Sequence, residues 1–215
     1  MPNYLGNLKR HLAGTALVGG LILSLGVGLA AAQEQPNSAQ ILHALTPKPL
    51  TRSLSVSPAD FAKTREDNQF INGLRDRRTR SLSLGEREKV AVIAEDKPKI
   101  DLEINFEFGS DRISRSATPT VDALAKALTD PTIKGSTFLV AGYTDAKGSA
   151  DYNQRLSERR ADAVKRILVD KYGISARTLV TAGYGKTHLK DPSDPYGGEN
   201  RRVGIVNMAR QEANN

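Results

Sequence analysis

The chain has no cysteine and only three histidines among its 215 residues. Without thiols there is no disulfide, no Cys-based metal site and no thiol nucleophile. A lipoprotein anchor, which needs a cysteine at the new N-terminus, is excluded on the same ground. His11, His43 and His188 lie far apart, and no HExxH, CxxC or G-x-S-x-G pattern occurs. Gly183-Tyr184-Gly185-Lys186-Thr187 ends like a phosphate loop but lacks the G-x-x-x-x-G-K spacing, so it reads as a strand-to-loop turn. Glu103 and Glu107 alternate with apolar residues and read as a solvated strand face. No catalytic constellation emerges. The expectation is a chain that is not an enzyme, with no cofactor and no metal.

Acidic residues are missing from positions 1–32, and Leu12 to Leu29 carries no charge at all. Lys9 and Arg10 precede that run, and Ala30-Ala31-Ala32 follow it. This is the layout of a secretory signal peptide over residues 1–32, cleaved before Gln33. The rival is an uncleaved membrane anchor, since the run is about long enough to span a bilayer. Such an anchor would hold no intramembrane charge, which argues against ion conduction. The net charge of +7 is scattered along the chain rather than gathered in one patch. A mild positive balance suits approach to anionic polymers. Export argues against nucleic acid as a partner.

Large apolar residues are sparse over residues 33–98, which are rich in Ser, Arg, Thr and Pro. Such composition buries little apolar surface, so the stretch is expected to be a flexible linker. Thr51-Arg52-Ser53-Leu54-Ser55 recurs as Thr79-Arg80-Ser81-Leu82-Ser83. The repeat reads as low-complexity coincidence or as a repeated docking motif. Short helices are predicted at Ala59–Arg75 and Leu84–Ala94.

The character changes at Lys99. Ile100, Leu102, Ile104, Phe106 and Phe108 alternate with polar residues, a period of two that predicts a half-buried strand. Thr118-Pro119 reads as an N-cap with proline at the first helical position. Val121, Leu124, Ala125 and Leu128 line the face of that helix. Thr137 to Tyr143 predicts a central strand. Tyr152 to Leu168 predicts a second helix, ended by Gly173. Thr178 to Ala182 and Arg202 to Met208 predict two further strands. The predicted order is β-α-β-α-β-β, an α+β fold expected as a two-layer sandwich over residues 99–210, with a tail at 211–215.

One stretch points to chemistry. Asp145 follows the second strand in a tight polar loop, and Arg160 sits two helical turns into the next helix. A carboxylate and a guanidinium so placed can face one small pocket and grip a ligand carrying both an ammonium and a carboxylate. The competing reading is a structural salt bridge or a helix cap. Asp151 reads as the better cap, which leaves Asp145 free. Gly142 and Gly148 permit close backbone approach to a ligand. Arginine offers a rigid fork for carboxylates that lysine cannot match.

Gly142-Tyr143-Thr144-Asp145, Gly148-Ser149, Tyr152-Asn153, Leu156-Ser157, Arg160-Ala161 and Val164 together resemble the OmpA C-terminal-like domains in order and spacing. So do Gly173-Ile174, Gly183-Tyr184-Gly185 and Asn200-Arg201-Arg202-Val203. The resemblance implies an OmpA-like periplasmic module that binds the diaminopimelate residue of the peptidoglycan stem peptide. By that likeness Arg160 would pair with a diaminopimelate carboxylate, and Asp145 would take its ammonium or a peptide N–H. Phe108, Gly109 and Ser110 would wall the pocket, and Leu156 would pack on the ligand's aliphatic chain. Thr144, Asn153 and Arg202 would support the site, and Arg159 would be a solvated helix residue. The chain departs from the pattern at Lys186, Leu189, Gly204 and Gly109.

The resulting expectation is a non-catalytic, Gram-negative cell-envelope anchor in the periplasm, held to the cell wall or outer membrane. Residues 33–98 cannot supply the eight or more strands of a transmembrane barrel. Outer-membrane association would therefore run through an envelope protein partner or the linker. Two alternatives are an inner-membrane-anchored subunit of a stator or transport complex and, more remotely, a cell-wall hydrolase.

Overall fold

The computed structural model describes residues 35–48, 58–75, 82–107 and 109–209. The expected signal segment, the repeat at 51–55, most of its second copy, Phe108 and the tail at 211–215 lie outside these residues. No helix among the described residues is long and apolar enough to cross a membrane.

The elements, in chain order, are α1 (Ser38–Leu45), α2 (Pro58–Leu74), α3 (Leu84–Ala94), β1 (Lys99–Leu102), α4 (Thr118–Leu128), β2 (Phe138–Gly142), α5 (Ala150–Asp170), β3 (Leu179–Gly183) and β4 (Val203–Asn207). From β1 onward this is the expected β-α-β-α-β-β order. The four strands form one sheet in the order β1-β4-β2-β3. Strand β4 is antiparallel to both of its neighbours, and β2 runs parallel to β3. Parallel neighbours need a crossover, and α5 supplies it. Leu102, Val203, Gly142 and Gly183 stand in register in one row. That row fixes the end of the sheet where the loops discussed below emerge.

The strands alternate strictly between two cores. Leu102, Phe138, Val140, Leu179, Val203 and Ile205 face a core built with α1, α4 and α5. Leu139, Ala141, Val180, Ala182 and Val206 face a second core built with α2 and α3. Helix α5 starts at Ser149, whose hydroxyl accepts the Tyr152 N–H at 3.2 Å. Asp151, expected as the cap, lies inside the first turn. Gly173 stops the helix at a φ of +67°, a value only glycine adopts without strain. The helix lies hard against the sheet: a Cβ on Gly142 would stand 2.2 Å from the Ser157 carbonyl oxygen. Gly142 thus admits helix backbone, not the ligand approach expected of it.

Other boundaries differ for clear reasons. The first strand ends at Leu102 instead of Phe108, because the chain then turns back on itself. Glu107 N–H donates to Arg112 O at 2.9 Å, Ser114 N–H to Asn105 O at 2.8 Å, and Phe106 bridges Ile113. Thr118 is no cap: a short 3-10 turn, Arg115–Ala117, runs straight into α4, so Thr118 is already helical.

The largest correction concerns residues 33–98. Their described parts contain three helices and belong to one compact unit with the sheet, Gln35–Asn215. Helix α1, not foreseen, is closed by a capping box between Asn37 and Gln40. Its Ile41 and Leu45 are wholly buried. Each such side chain contributes roughly 1.5–3 kcal/mol of burial. The Asn207 side-chain amide donates to Leu45 O at 2.9 Å, fastening α1 to an interior strand. Helix α3 is capped by Ser83 and Glu86. It is held by an Arg87–Glu158 ion pair at 3.6 Å and by the Tyr184 hydroxyl on Arg87 O at 3.2 Å. Helices α2 and α3 fall where short helices were expected, and what low overall hydrophobicity hid is that they pack on the sheet, because each buries only a few apolar residues there. The two-layer sandwich therefore carries a third layer, α2 and α3, drawn from the stretch read as linker.

Candidate functional site

Three loops meet at the row of strand ends. The β2–α5 loop carries Asp145, the segment after β1 carries Ser110, and the long loop from Gly183 to Arg202 packs beside both. Ala146 N–H donates to Pro195 O at 2.8 Å and Thr144 N–H to Gly185 O at 2.8 Å. Asn200 is fully buried and pins the long loop. Its side-chain oxygen accepts from Lys190 and Asp191 N–H, and its amide donates to Asp194 O.

Asp145 and Arg160 reach this end of the molecule but do not bond each other. One Asp145 oxygen accepts the Lys147 N–H at 3.0 Å, and the other takes Arg201 Nη1 at 2.8 Å. The salt bridge weighed between Asp145 and Arg160 is absent, and Asp145 pairs with Arg201 instead. Arg160 donates from Nε to Ser110 O at 3.3 Å and lies 4.8 Å from the centre of the Phe106 ring. Burial holds its guanidinium below the usual arginine range, opposed by the charges of Tyr152 and Asp145. No carboxylate pairs with Arg160 among the described residues.

Arg202 is committed to the protein. It lies 3.2 Å from the Asp101 carboxylate, stacks 3.9 Å from the centre of the Tyr143 ring, and donates to His188 O at 3.3 Å. Gly204 makes this stack feasible: a Cβ there would stand 3.2 Å from the Tyr143 ring and 3.3 Å from Asp101. Burial pushes the Tyr143 phenol up to about 12. Tyr143 also stacks on Tyr184, with ring centres 5.4 Å apart.

The remaining expected residues take distinct places. Gly109 is exposed with a φ of +63°. Ser110 offers its carbonyl to Arg160, and its hydroxyl accepts the Arg112 N–H at 2.9 Å. Thr144 is buried and donates to Asp145 O at 3.0 Å. Asn153 is buried too, and its amide holds Lys147 O at 2.9 Å. These two shape the Asp145 loop from behind. Leu156 is buried on α5. Arg159 is half-buried rather than solvated. Phe108 lies outside the described residues. Lys186, one of the departures, donates to Gly148 O at 3.0 Å and closes the same loop.

Ile104, Asn105, Phe106, Tyr143, Arg160, Arg201 and Arg202 line one small cavity of about 60 Å³. Three guanidiniums therefore converge on a recess walled by two aromatic rings. Asp145 and Asp101 neutralise two of them, leaving a net attraction for an anionic group. Arg201 was missed as a site residue. Its signal was the Arg201-Arg202 pair just before β4, in which each arginine meets a different aspartate. No cluster of three metal-ligating side chains occurs among the described residues.

These features define an α+β domain with an open sheet and a cation-lined recess among the loops at one end. Residues 105–202 match the OmpA family, and this part of the chain is an OmpA family domain. Outer membrane porin F of Pseudomonas aeruginosa is 33% identical over 89 residues, 41% of this chain and 25% of that protein. The peptidoglycan-associated lipoprotein of Legionella pneumophila is 35% identical over 103 residues, 47% of this chain and 57% of that protein. The chain thus spans between a quarter and just over half the length of these relatives. Among solved structures, the periplasmic domain of Helicobacter pylori MotB aligns at 24% identity with a TM-score of 0.45, covering 54% of this chain and 86% of that one.

Proposed function

We propose that this chain anchors the cell envelope by binding peptidoglycan non-covalently, through the diaminopimelate residue of the stem peptide. The observation that carries the reading is a half-buried Arg160 that lines the recess with no carboxylate partner among the described residues, while Asp145 is tied to Arg201 of the same recess. Diaminopimelate ends in an ammonium and a carboxylate on one carbon, and Arg160 in the recess and Asp145 in the adjoining loop are groups of the opposite signs. Arg160 takes the carboxylate, where a charge-assisted bond in a drained setting is strong. Asp145 takes the ammonium, and Phe106 lies against the aliphatic chain. The relative named as a peptidoglycan-associated lipoprotein supports the same reading. Thr144, Asn153 and Arg202 hold the loops in place from behind. The protein works in the periplasm, attached to the wall, and any outer-membrane attachment runs through a partner.

The test is co-sedimentation with insoluble diaminopimelate-type peptidoglycan, using the chain from Gln33 onward. Wild type is expected in the pellet, and folded Asp145→Ala and Arg160→Ala variants in the supernatant. Wild type remaining soluble, or both folded variants pelleting like wild type, would remove the recess as the binding site.

A further inference from the structure

We infer that Arg201 is a resident competitor for the ligand's ammonium at Asp145, and thereby sets which stem peptides the site admits. The inference rests on the stem-peptide reading above. Both Asp145 oxygens are engaged by the protein, one by the Lys147 N–H at 3.0 Å and one by Arg201 at 2.8 Å. The backbone contact belongs to the loop itself. The guanidinium therefore stands where an incoming ammonium must go. It is free to leave: the Arg201 side chain is 50% exposed, and its one other side-chain hydrogen bond among the described residues is a long 3.5 Å contact to Tyr196 O. Swinging it outward opens no core.

The consequence is selection by exchange of partners. A ligand end carrying only an ammonium displaces Arg201 and leaves that cation without a partner. A ligand end carrying an ammonium and a carboxylate displaces it and offers it, at the rim, a share of the carboxylate whose other oxygen Arg160 holds. Arg201 thus penalises the first ligand and not the second. The size follows from populations: a binding-competent form present at fraction f weakens the apparent affinity by 1/f. If the closed form outweighs the open one by about three to ten, removing Arg201 strengthens an ammonium-only ligand about four- to elevenfold.

The experiment measures the affinity of the chain from Gln33 onward for two tripeptides by calorimetry. One is L-Ala-γ-D-Glu-meso-diaminopimelate, the other L-Ala-γ-D-Glu-L-Lys. They differ only in the carboxylate at the end of the last side chain. Wild type is expected to prefer the first. In Arg201→Ala and Arg201→Gln, both checked by thermal melting, the lysine peptide should bind about four- to elevenfold tighter, with the diaminopimelate peptide unchanged or weaker. An affinity ratio within twofold of wild type, or equal weakening of both peptides, overturns the gate and leaves Arg201 a plain contact or a loop brace. A wild type that binds neither peptide overturns the stem-peptide reading itself, and the gate with it.

Discussion

The two faces of the sheet bury comparable strands but are covered by different kinds of sequence. One face is closed by α4 and α5, whose apolar residues recur at helical spacing, and by the short α1. The other is closed by α2 and α3, from a stretch rich in Ser, Arg and Thr. Few apolar residues, Ile71, Leu74, Val90 and Ala94 among them, meet the sheet, and polar contacts reinforce them: Arg87 pairs with Glu158 of α5, the Tyr184 hydroxyl donates to Arg87 O, and Arg75 donates to Thr137. Low hydrophobicity therefore marks a thin layer as readily as a free linker. What decides is whether the few apolar residues meet a sheet face that would otherwise stand exposed.

That contrast can be broken or sharpened by experiment. The largest effect is expected at Ile41, which is wholly buried on α1. Ile41→Ala should cost about 2–5 kcal/mol of unfolding free energy, as other buried truncations do. An unchanged urea midpoint would mean that residues 35–48 hang free after all. Next comes the recess. Arg160→Lys should weaken binding of a diaminopimelate stem peptide by about 1.5–3 kcal/mol, because lysine loses the fork. The same change should leave the melting temperature close to wild type, a split that calorimetry and thermal melting would read together.

Alkali should act on the stacked tyrosines. Burial holds the Tyr143 phenol at about 12 against its ordinary 10, and raises Tyr184 as well. The folded state thus keeps protons that the unfolded chain releases near pH 10. Stability is whole below pH 10 and falls as the pH rises toward 12. A loss of about 1 kcal/mol by pH 11 is expected in urea titrations, with a flatter profile for Tyr143→Phe. The smallest effect is Tyr184→Phe, which keeps the ring but drops the hydroxyl from Arg87 O. It should cost about 0.5–1 kcal/mol and leave ligand affinity unchanged. A larger binding loss would show that α3 reaches the recess.

Much of the fold was legible because strands and helices that bury one side must repeat their apolar residues at their own period. The alternation from Ile100 reported burial faithfully: Leu102 and Ile104 are both inside. It could not report pairing, and beyond Leu102 the chain folds back on itself instead of extending the sheet. Ser149 outcompeted Asp151 as cap because the helix begins two residues earlier than the charges suggested. In the site, Asp145 and Arg160 were legible as neighbours of the same loop and helix. Their true partners were not. Ser110 and Arg201 lie 50 and 56 residues away in sequence, and only the register of β1, β4 and β2 brings them to one end.

The bond from Asn207 to Leu45 O has a mechanical consequence. Helix α1 is where a pull from the preceding chain enters the domain, and its last turn is fastened to β4, an interior strand flanked on both sides. Traction on that side cannot peel the sheet from an edge, one hydrogen bond at a time. It must shear α1 off α4 as a unit and drag on the middle of the sheet. A domain loaded in this way resists tension by its whole cross-section.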